Sequence, residues 1–339
     1  MEGCPVCGAP TVLRFTLEST PIRGCGSCGH GFADYQADGR HLSTIYGDDY
    51  FSATGPGYLD YLSEAELLQK KGRRYGAIIG RYAPHGRVLD VGSAAGFIAA
   101  GMRDTGLAVT GLEPNGRMAR YACESLGLPT LNETLENLGG VAAYDVVSMI
   151  QVVAHFVDPR RALAAAARAT RPGGYWLIEG WKADSIVACT FGRRWHVYSP
   201  PSVLNYFTMK SLDLLAAEFG FLRVATGRPR KLITAAHAAG LFEFLGPRSN
   251  VLRFAAKVAR RIPRRFVLPY PGDDIFWAIY RSNAVAPRGT QSTQGVPIGK
   301  TVGLRAQTCL ISAPLEKELT SRTTARRRRF TTRANSIVA

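Results

Sequence analysis

The stretch VLDVGSAAGF, residues 88–97, constrains this chain more than any other. Its branched apolar residues read as a buried strand ending at Asp90–Val91. The chain then turns through Gly92, and a helix is expected to begin near Ala94, with Gly96 letting that helix pack closely on the strand. Elements of both kinds continue on either side. AVTGLE, YDVVSMI and GGYWLIEG read as strands; NGRMARYACESLG, closed by Gly127, and DPRRALAAAARAT read as helices. Further on, SLDLLAAEFGF reads as a helix, FLRVATG as a strand and IFWAIYR, residues 275–281, as a last strand. Apolar residues at helical spacing from Tyr58 to Tyr82 predict a helix ended by Pro84. This alternation predicts an α/β chain, a doubly wound parallel sheet with helices on both faces.

Ligands of such sheets sit at the carboxyl ends of the strands, where backbone N–H groups of the turn and helix start can hold an anion. The middle position of a G-x-G-x-x-G fingerprint is occupied by Ala94, which disfavours close approach by a pyrophosphate. Glu113 ends the second strand, seventeen residues past Gly96, where an acid can accept both hydroxyls of a ribose. These residues point to a nucleoside bearing a small anionic group rather than to a dinucleotide, and S-adenosylmethionine fits that description.

The amino-terminal region has a different grammar. Cys4, Cys7, Cys25 and Cys28 form two CxxC pairs separated by seventeen residues. Four thiolates at this spacing predict a closed structural Zn²⁺ site that folds residues 1–32. Residues 33–83 read as a linker and helix, 84–283 as the α/β domain, 232–265 as a basic helical insertion within it, and 284–339 as a disordered basic tail. The net charge of +16 is uneven. Residues 228–265 hold ten Lys/Arg against one acid and residues 284–339 ten against two, leaving −1 elsewhere. A high pI therefore does not make the whole chain a nucleic-acid binder. No apolar run reaches the roughly 18 residues of a membrane span, and no secretory leader is evident, so a cytoplasmic protein is expected. One face of the stretch NVLRFAAKVARRI, residues 250–262, gathers Val251, Leu252, Ala255, Val258, Ala259 and Ile262. Arg253, Lys257, Arg260 and Arg261 gather on another. That pattern fits an ordinary helix packed on its own domain, and also a helix lying on an anionic membrane surface.

In order and spacing, RVLDVGSAAGF, VTGLEPN, YDVVSMIQVVAHFVDP and ATRPGGYWLIEG resemble the class I S-adenosylmethionine-dependent methyltransferases. The resemblance covers about residues 87–180, and SLDLLAAEFGF and IFWAIYR extend it to about 281. It implies a Rossmann-like, seven-stranded sheet. It also implies that Asp90, Gly92, Ser93 and Gly96 line the methionine end of the cofactor and that Glu113 holds the ribose. Thr134 and Leu135 would lie near the adenine, and Met149, Ile150 and Gln151 would face the reacting sulfur. The amino-terminal cysteines followed by YGDDYF, residues 46–51, resemble sugar- and natural-product-methylating enzymes in which a zinc module covers the acceptor site.

Methyl transfer needs an acceptor held in line and, at oxygen or carbon, a base. The expected catalytic candidates are His155, His196 and Tyr198, the last two in RRWHVYSPPSVLNYF beside Arg193 and Arg194. Gln151 and Ala154 stand where metal-dependent relatives carry glutamates, so no catalytic metal is expected. Val203 stands where relatives that methylate sugar carbons carry a histidine. The resulting expectation is a methyltransferase acting on a small molecule or saccharide, at oxygen, with carbon methylation of a sugar as a variant. An RNA methyltransferase is the main alternative and a non-catalytic cofactor-binding protein the second. The cysteine module holds Arg14 and Arg23 against Glu2 and Glu18, and this near-neutral balance argues against a grip on RNA phosphates.

Overall fold

The computed structural model describes residues 3–38, 40–47, 61–139, 143–229, 232–234, 239, 250–262, 267–270 and 272–283. In chain order the elements are β1 Thr11–Leu17, β2 Thr20–Cys25, β3 Gly31–Ala33, α1 His41–Ile45, α2 Ala65–Ile79, β4 Arg87–Val91, α3 Phe97–Arg103 and β5 Ala108–Leu112. There follow α4 Gly116–Leu126, β6 Thr130–Leu131, β7 Tyr144–Ile150, α5 Pro159–Ala169, β8 Thr170–Trp181, α6 Ile186–Phe191, β9 Asn205–Tyr206, α7 Met209–Glu218 and β10 Phe221–Gly227. A short pair, β11 Leu232–Thr234 and β12 Val267–Pro269, flanks the helix Asn250–Arg261, and β13 Ile275–Ser282 ends the described chain.

Seven strands form one sheet in the order β10-β13-β8-β7-β4-β5-β6. The five from β8 to β6 run parallel, whereas β13 is antiparallel to both of its neighbours. The sheet is therefore the seven-stranded methyltransferase type, mixed rather than wholly parallel. The antiparallel strand places its first residue, Ile275, at the edge where the parallel strands end. Buried Val88, Leu89, Val146, Val147, Leu177 and Ile178 fill both faces of the central strands, the continuous apolar runs expected of a sheet covered on each side.

The helix expected from Tyr58 is α2, preceded by a single 3-10 turn at Leu62–Glu64; residues 58–60 lie outside the described residues. It ends at Gly80, before Pro84 acts on it. Helices α2 and α3 meet almost backbone to backbone. A Cβ on Gly72 would come within 2.1 Å of the Ile98 carbonyl oxygen, and one on Gly101 within 2.2 Å of the Gln69 carbonyl oxygen. Only glycine fits there, and the contact lays α2 over the strand ends.

Helix α3 starts at Phe97, later than Ala94, with Gly96 as its N-cap at φ +82°. The close approach that Gly96 permits is also to a different partner. A Cβ there would meet Leu128 at 2.8 Å and Ala122 at 2.9 Å, so the contact joins the helix start to α4 rather than to its own strand. Residues 232–265 are not uniformly helical: Leu232–Thr234 pairs antiparallel with Val267–Pro269, while among the described residues Ala239 and Asn250–Arg261 are helical. The tail expected at 284–339 lies outside the described residues.

A second sheet, β1-β2-β3-β9, belongs to the cysteine region. Its fourth strand comes from the main domain, pairing Gly31 with Tyr206 and Phe32 with Asn205. The junction is further fixed by Arg160 donating to the Val6 carbonyl at 2.7 Å, Lys210 to the Ser27 carbonyl at 2.6 Å and Thr208 to the Cys28 carbonyl at 3.2 Å. The first residues thus dock along β9 instead of hanging from a linker.

Candidate functional site

A cavity of about 830 Å³ opens along the carboxyl edge of the sheet. Strand order sets what it meets in turn: Thr134 and Leu135 after β6, Glu113 after β5, Gly92 and Ala94 after β4, Ile150 and Gln151 after β7, Glu179 on β8, and Ile275 and Trp277 on β13.

At the β4–β5 end the polar partners are backbone groups. The Ala94 N–H donates to Glu113 Oε2 at 2.8 Å and the Asn115 N–H to Oε1 at 2.8 Å. The turn itself is held by Gly92 and Ser93 N–H groups donating to the Leu112 carbonyl at 2.8 and 3.2 Å. Ala94 is forced to φ +48°, a left-handed conformation that L-residues avoid. Burial pushes the Glu113 carboxyl up to about 7, against the pull of the two N–H donors and with a push from Asp90. Asp90, behind the turn, accepts from Ser148 Oγ at 2.6 Å; burial pushes it up to about 7 as well.

At the β7–β8 end the partners are side chains. Glu179 is fully buried. Its Oε1 accepts from Lys71 Nζ at 2.9 Å and Gln151 Nε2 at 2.8 Å, and its Oε2 from the Tyr75 hydroxyl. Gln151, at φ +60°, is locked a second time by its N–H donating to the Glu179 carbonyl at 2.9 Å. Lys71 and Tyr75 arrive on α2 because the glycine contact places that helix over the sheet. Sequence reasoning gave none of Lys71, Tyr75 and Glu179 a role: Lys71 and Tyr75 belong to no local motif, and Glu179 sits unremarked inside ATRPGGYWLIEG. The available signal was IEG at the end of a strand that is otherwise apolar, an acid where burial was expected.

His41, Tyr46 and His155 line the same cavity. The Ser202 carbonyl lies 2.7 Å from His155 Nδ1 and 2.6 Å from the Tyr46 hydroxyl. A carbonyl only accepts, so the Nδ1 that faces Ser202 carries the proton; the Tyr46 hydroxyl lies 2.8 Å from the same nitrogen. Burial holds the ring below its ordinary pKa, against the carbonyls of Ser202 and Gln151, so it is neutral at pH 7. Tyr46 belongs to the YGDDYF stretch; Tyr50 and Phe51 lie outside the described residues.

Of the expected cofactor residues, Gly92, Glu113, Thr134, Leu135, Ile150 and Gln151 line the cavity. Asp90, Ser93, Gly96 and Met149 sit behind its wall. Of the expected catalytic residues, His155 lines it and His196 and Tyr198 do not. His196 is enclosed by Trp181, Trp195 and Tyr270, with Asp274 4.0 Å from Nδ1. Tyr198 packs edge-on against Phe15 of the cysteine region at 5.0 Å and against Tyr206 at 4.5 Å. Both belong to the apolar joint between the two sheets, where aromatic burial outcompetes exposure to the cavity.

Cys4, Cys7, Cys25 and Cys28 converge, all four sulfurs lying within 4.8 Å of one another. The Cys4–Cys28 and Cys7–Cys25 sulfur pairs are 3.6 and 3.5 Å apart. A tetrahedral zinc with Zn–S bonds of about 2.3 Å requires sulfur separations of about 3.8 Å, so this donor set fits the ion.

Residues 61–225 match a family model described as a methyltransferase domain. The ubiquinone biosynthesis O-methyltransferase of Cronobacter sakazakii is 34% identical over 109 residues, 30% of this chain and 43% of that protein. The Methylocella silvestris protein of the same description is 32% identical over 145 residues, 38% of this chain and 57% of that protein. The chain therefore spans about half the length of the relatives it matches. Among solved structures, the Burkholderia thailandensis 1,6-didemethyltoxoflavin-N1-methyltransferase, with 1,6-didemethyltoxoflavin and S-adenosylhomocysteine bound, covers 80% of this chain and 98% of its own. It aligns at 16% identity and a TM-score of 0.46.

Proposed function

We propose that this chain, whose residues 61–225 match a methyltransferase domain model, transfers the methyl group of S-adenosylmethionine to an oxygen of a small molecule, with a saccharide as the acceptor class. The carrying observation is the single cavity that joins Glu113 and the glycine turn to the Tyr46–His155 pair. When bound, the cofactor supplies a methyl group already activated on a sulfonium.

The residues present fit that group. The two N–H donors on Glu113 leave lone pairs for two ribose hydroxyls. Leu112 and Leu135 offer apolar walls to a flat base. Gly92 presents backbone to the same cavity, and Lys71, which also lines it, is already paired with Glu179. Asp90, Ser93, Gly96 and Met149 support these groups from behind. The chain's remaining work is to orient the acceptor, exclude water and take a proton. His155 suits the last task, being neutral with Nδ1–H spent on Ser202 and Nε2 as acceptor. Its predicted partner is the acceptor hydroxyl.

The cysteine module acquires a role in this reading. With zinc on Cys4, Cys7, Cys25 and Cys28 it holds β3 against β9. The chain just before β9 supplies Ser202, which fixes the His155 tautomer, and the Leu204 N–H, which donates to the Ala154 carbonyl at 2.9 Å. The module would thus brace the base from outside the cavity. The test is incubation with methyl-labelled S-adenosylmethionine and fractionated cell extract. Label in small-molecule or glycan fractions supports the proposal; label in RNA supports the alternative acceptor and overturns this one.

A further inference from the structure

The helix Asn250–Arg261 exposes two large apolar side chains. Among its described side chains, Ala256 and Ala259 are buried, 0% and 4% exposed, and packed with Ala239. Phe254 and Val258, by contrast, face solvent, 68% and 46% exposed. The sequence pattern placed Val258 and Ala259 on one face; the structure buries the alanine and turns the valine out. A helix packed only on its own domain buries phenylalanine before alanine, because the larger side chain removes more apolar area from water.

Phe254, Lys257, Val258 and Arg261 follow i, i+3, i+4, i+7 spacing and so share one face, with Arg253 and Arg260 on its flank. The stretch 228–265 to which they belong carries ten cations against one acid. Strand β10 leads into it and β13 follows it, and residues at both roots, Arg228 and Ile275, line the cavity. We infer that this face docks on an anionic lipid surface. Phe254 and Val258 would enter the acyl boundary, while Lys257 and Arg261 lay their methylene stems along it and keep their charges at the phosphates. Nucleic acid would use the cations and leave the exposed phenylalanine and valine unexplained, so lipid is the occupant the observations favour. The inference does not depend on the proposed chemistry.

The test is co-sedimentation of the full chain with vesicles of phosphatidylcholine alone, or of equimolar phosphatidylcholine and phosphatidylglycerol, at low and high salt. The wild type should sediment only with the anionic vesicles, less so at high salt. Phe254→Ser with Val258→Ser, and separately Lys257→Gln with Arg261→Gln, should each weaken partitioning by on the order of tenfold at unchanged melting temperature. Three results would overturn the inference. The wild type could remain in the supernatant with anionic vesicles. Both variants could bind as the wild type does, which would assign the binding to another basic segment such as 284–339. Or the charge variant could lose affinity for RNA while no variant or wild type binds vesicles.

Discussion

The two ends of the cavity hold a buried glutamate each, and they are built by opposite means. Glu113 is held by two backbone N–H groups within its own βαβ unit, whereas Glu179 is held by Lys71, Tyr75 and Gln151, three side chains from two separate segments. Each end also keeps one non-glycine residue in left-handed backbone, Ala94 at φ +48° and Gln151 at φ +60°. A carboxylate anchored by backbone keeps its shape whatever the neighbouring side chains are, and it has lone pairs left for a ligand. A carboxylate saturated by side chains depends on each of them. The first arrangement suits a cofactor that does not vary, the second an acceptor pocket shaped by the particular chain.

The largest effects should separate the bracing module from both ends. Cys4→Ser with Cys7→Ser should release the zinc that metal analysis is expected to find at one per chain. It should unfold the module and abolish turnover, yet leave cofactor binding near wild type. Full activity in that variant would detach the module from the site. Next, His155→Ala should lower kcat by about 100-fold or more, while His196→Phe should change stability more than kcat, since His196 lies in the apolar joint. Equal kinetic losses in steady-state assays would return His196 to the chemistry.

Smaller changes address the two glutamates directly. Lys71→Ala leaves Glu179 buried without its cation and should cost about 2–3 kcal/mol in denaturant unfolding, discounted because Lys71 is partly exposed. Loss of a few tenths would mean that Tyr75 and Gln151 suffice. Since burial raises the Glu113 carboxyl to about 7, its ionised form is lost as pH falls through that value. Affinity for S-adenosylhomocysteine should therefore drop severalfold from pH 8 to about 6. For the empty protein the sign is opposite: a raised folded pKa stabilises below the unfolded value of about 4.3 and that stability is lost as pH rises through about 7. Smallest of all, Ala94→Gly should relieve left-handed strain and raise stability by up to about 1 kcal/mol, checked by thermal unfolding.

The same contrast explains what could be read in advance. The glycine turn, Glu113 and the strand alternation are local in sequence, because backbone geometry is dictated by neighbours along the chain. Lys71, Tyr75 and Glu179 meet only because Gly72 and Gly101 let two helices touch, a long-range contact with no short motif. His196 was misplaced for a related reason. A histidine near a cavity and one beneath Trp181 and Trp195 look alike until the tertiary packing is known. The antiparallel β13 and the outward-facing Phe254 and Val258 were hidden likewise, since amphipathicity marks two faces without saying which one is inside.

The most direct test of the account is calorimetric binding of S-adenosylhomocysteine to the wild type and to Glu113→Ala. The account predicts saturable one-to-one binding by the wild type and a loss of about 100-fold or more in the variant, the worth of two charge-assisted hydrogen bonds. Absence of binding by the wild type, or equal binding by the two proteins, would contradict it.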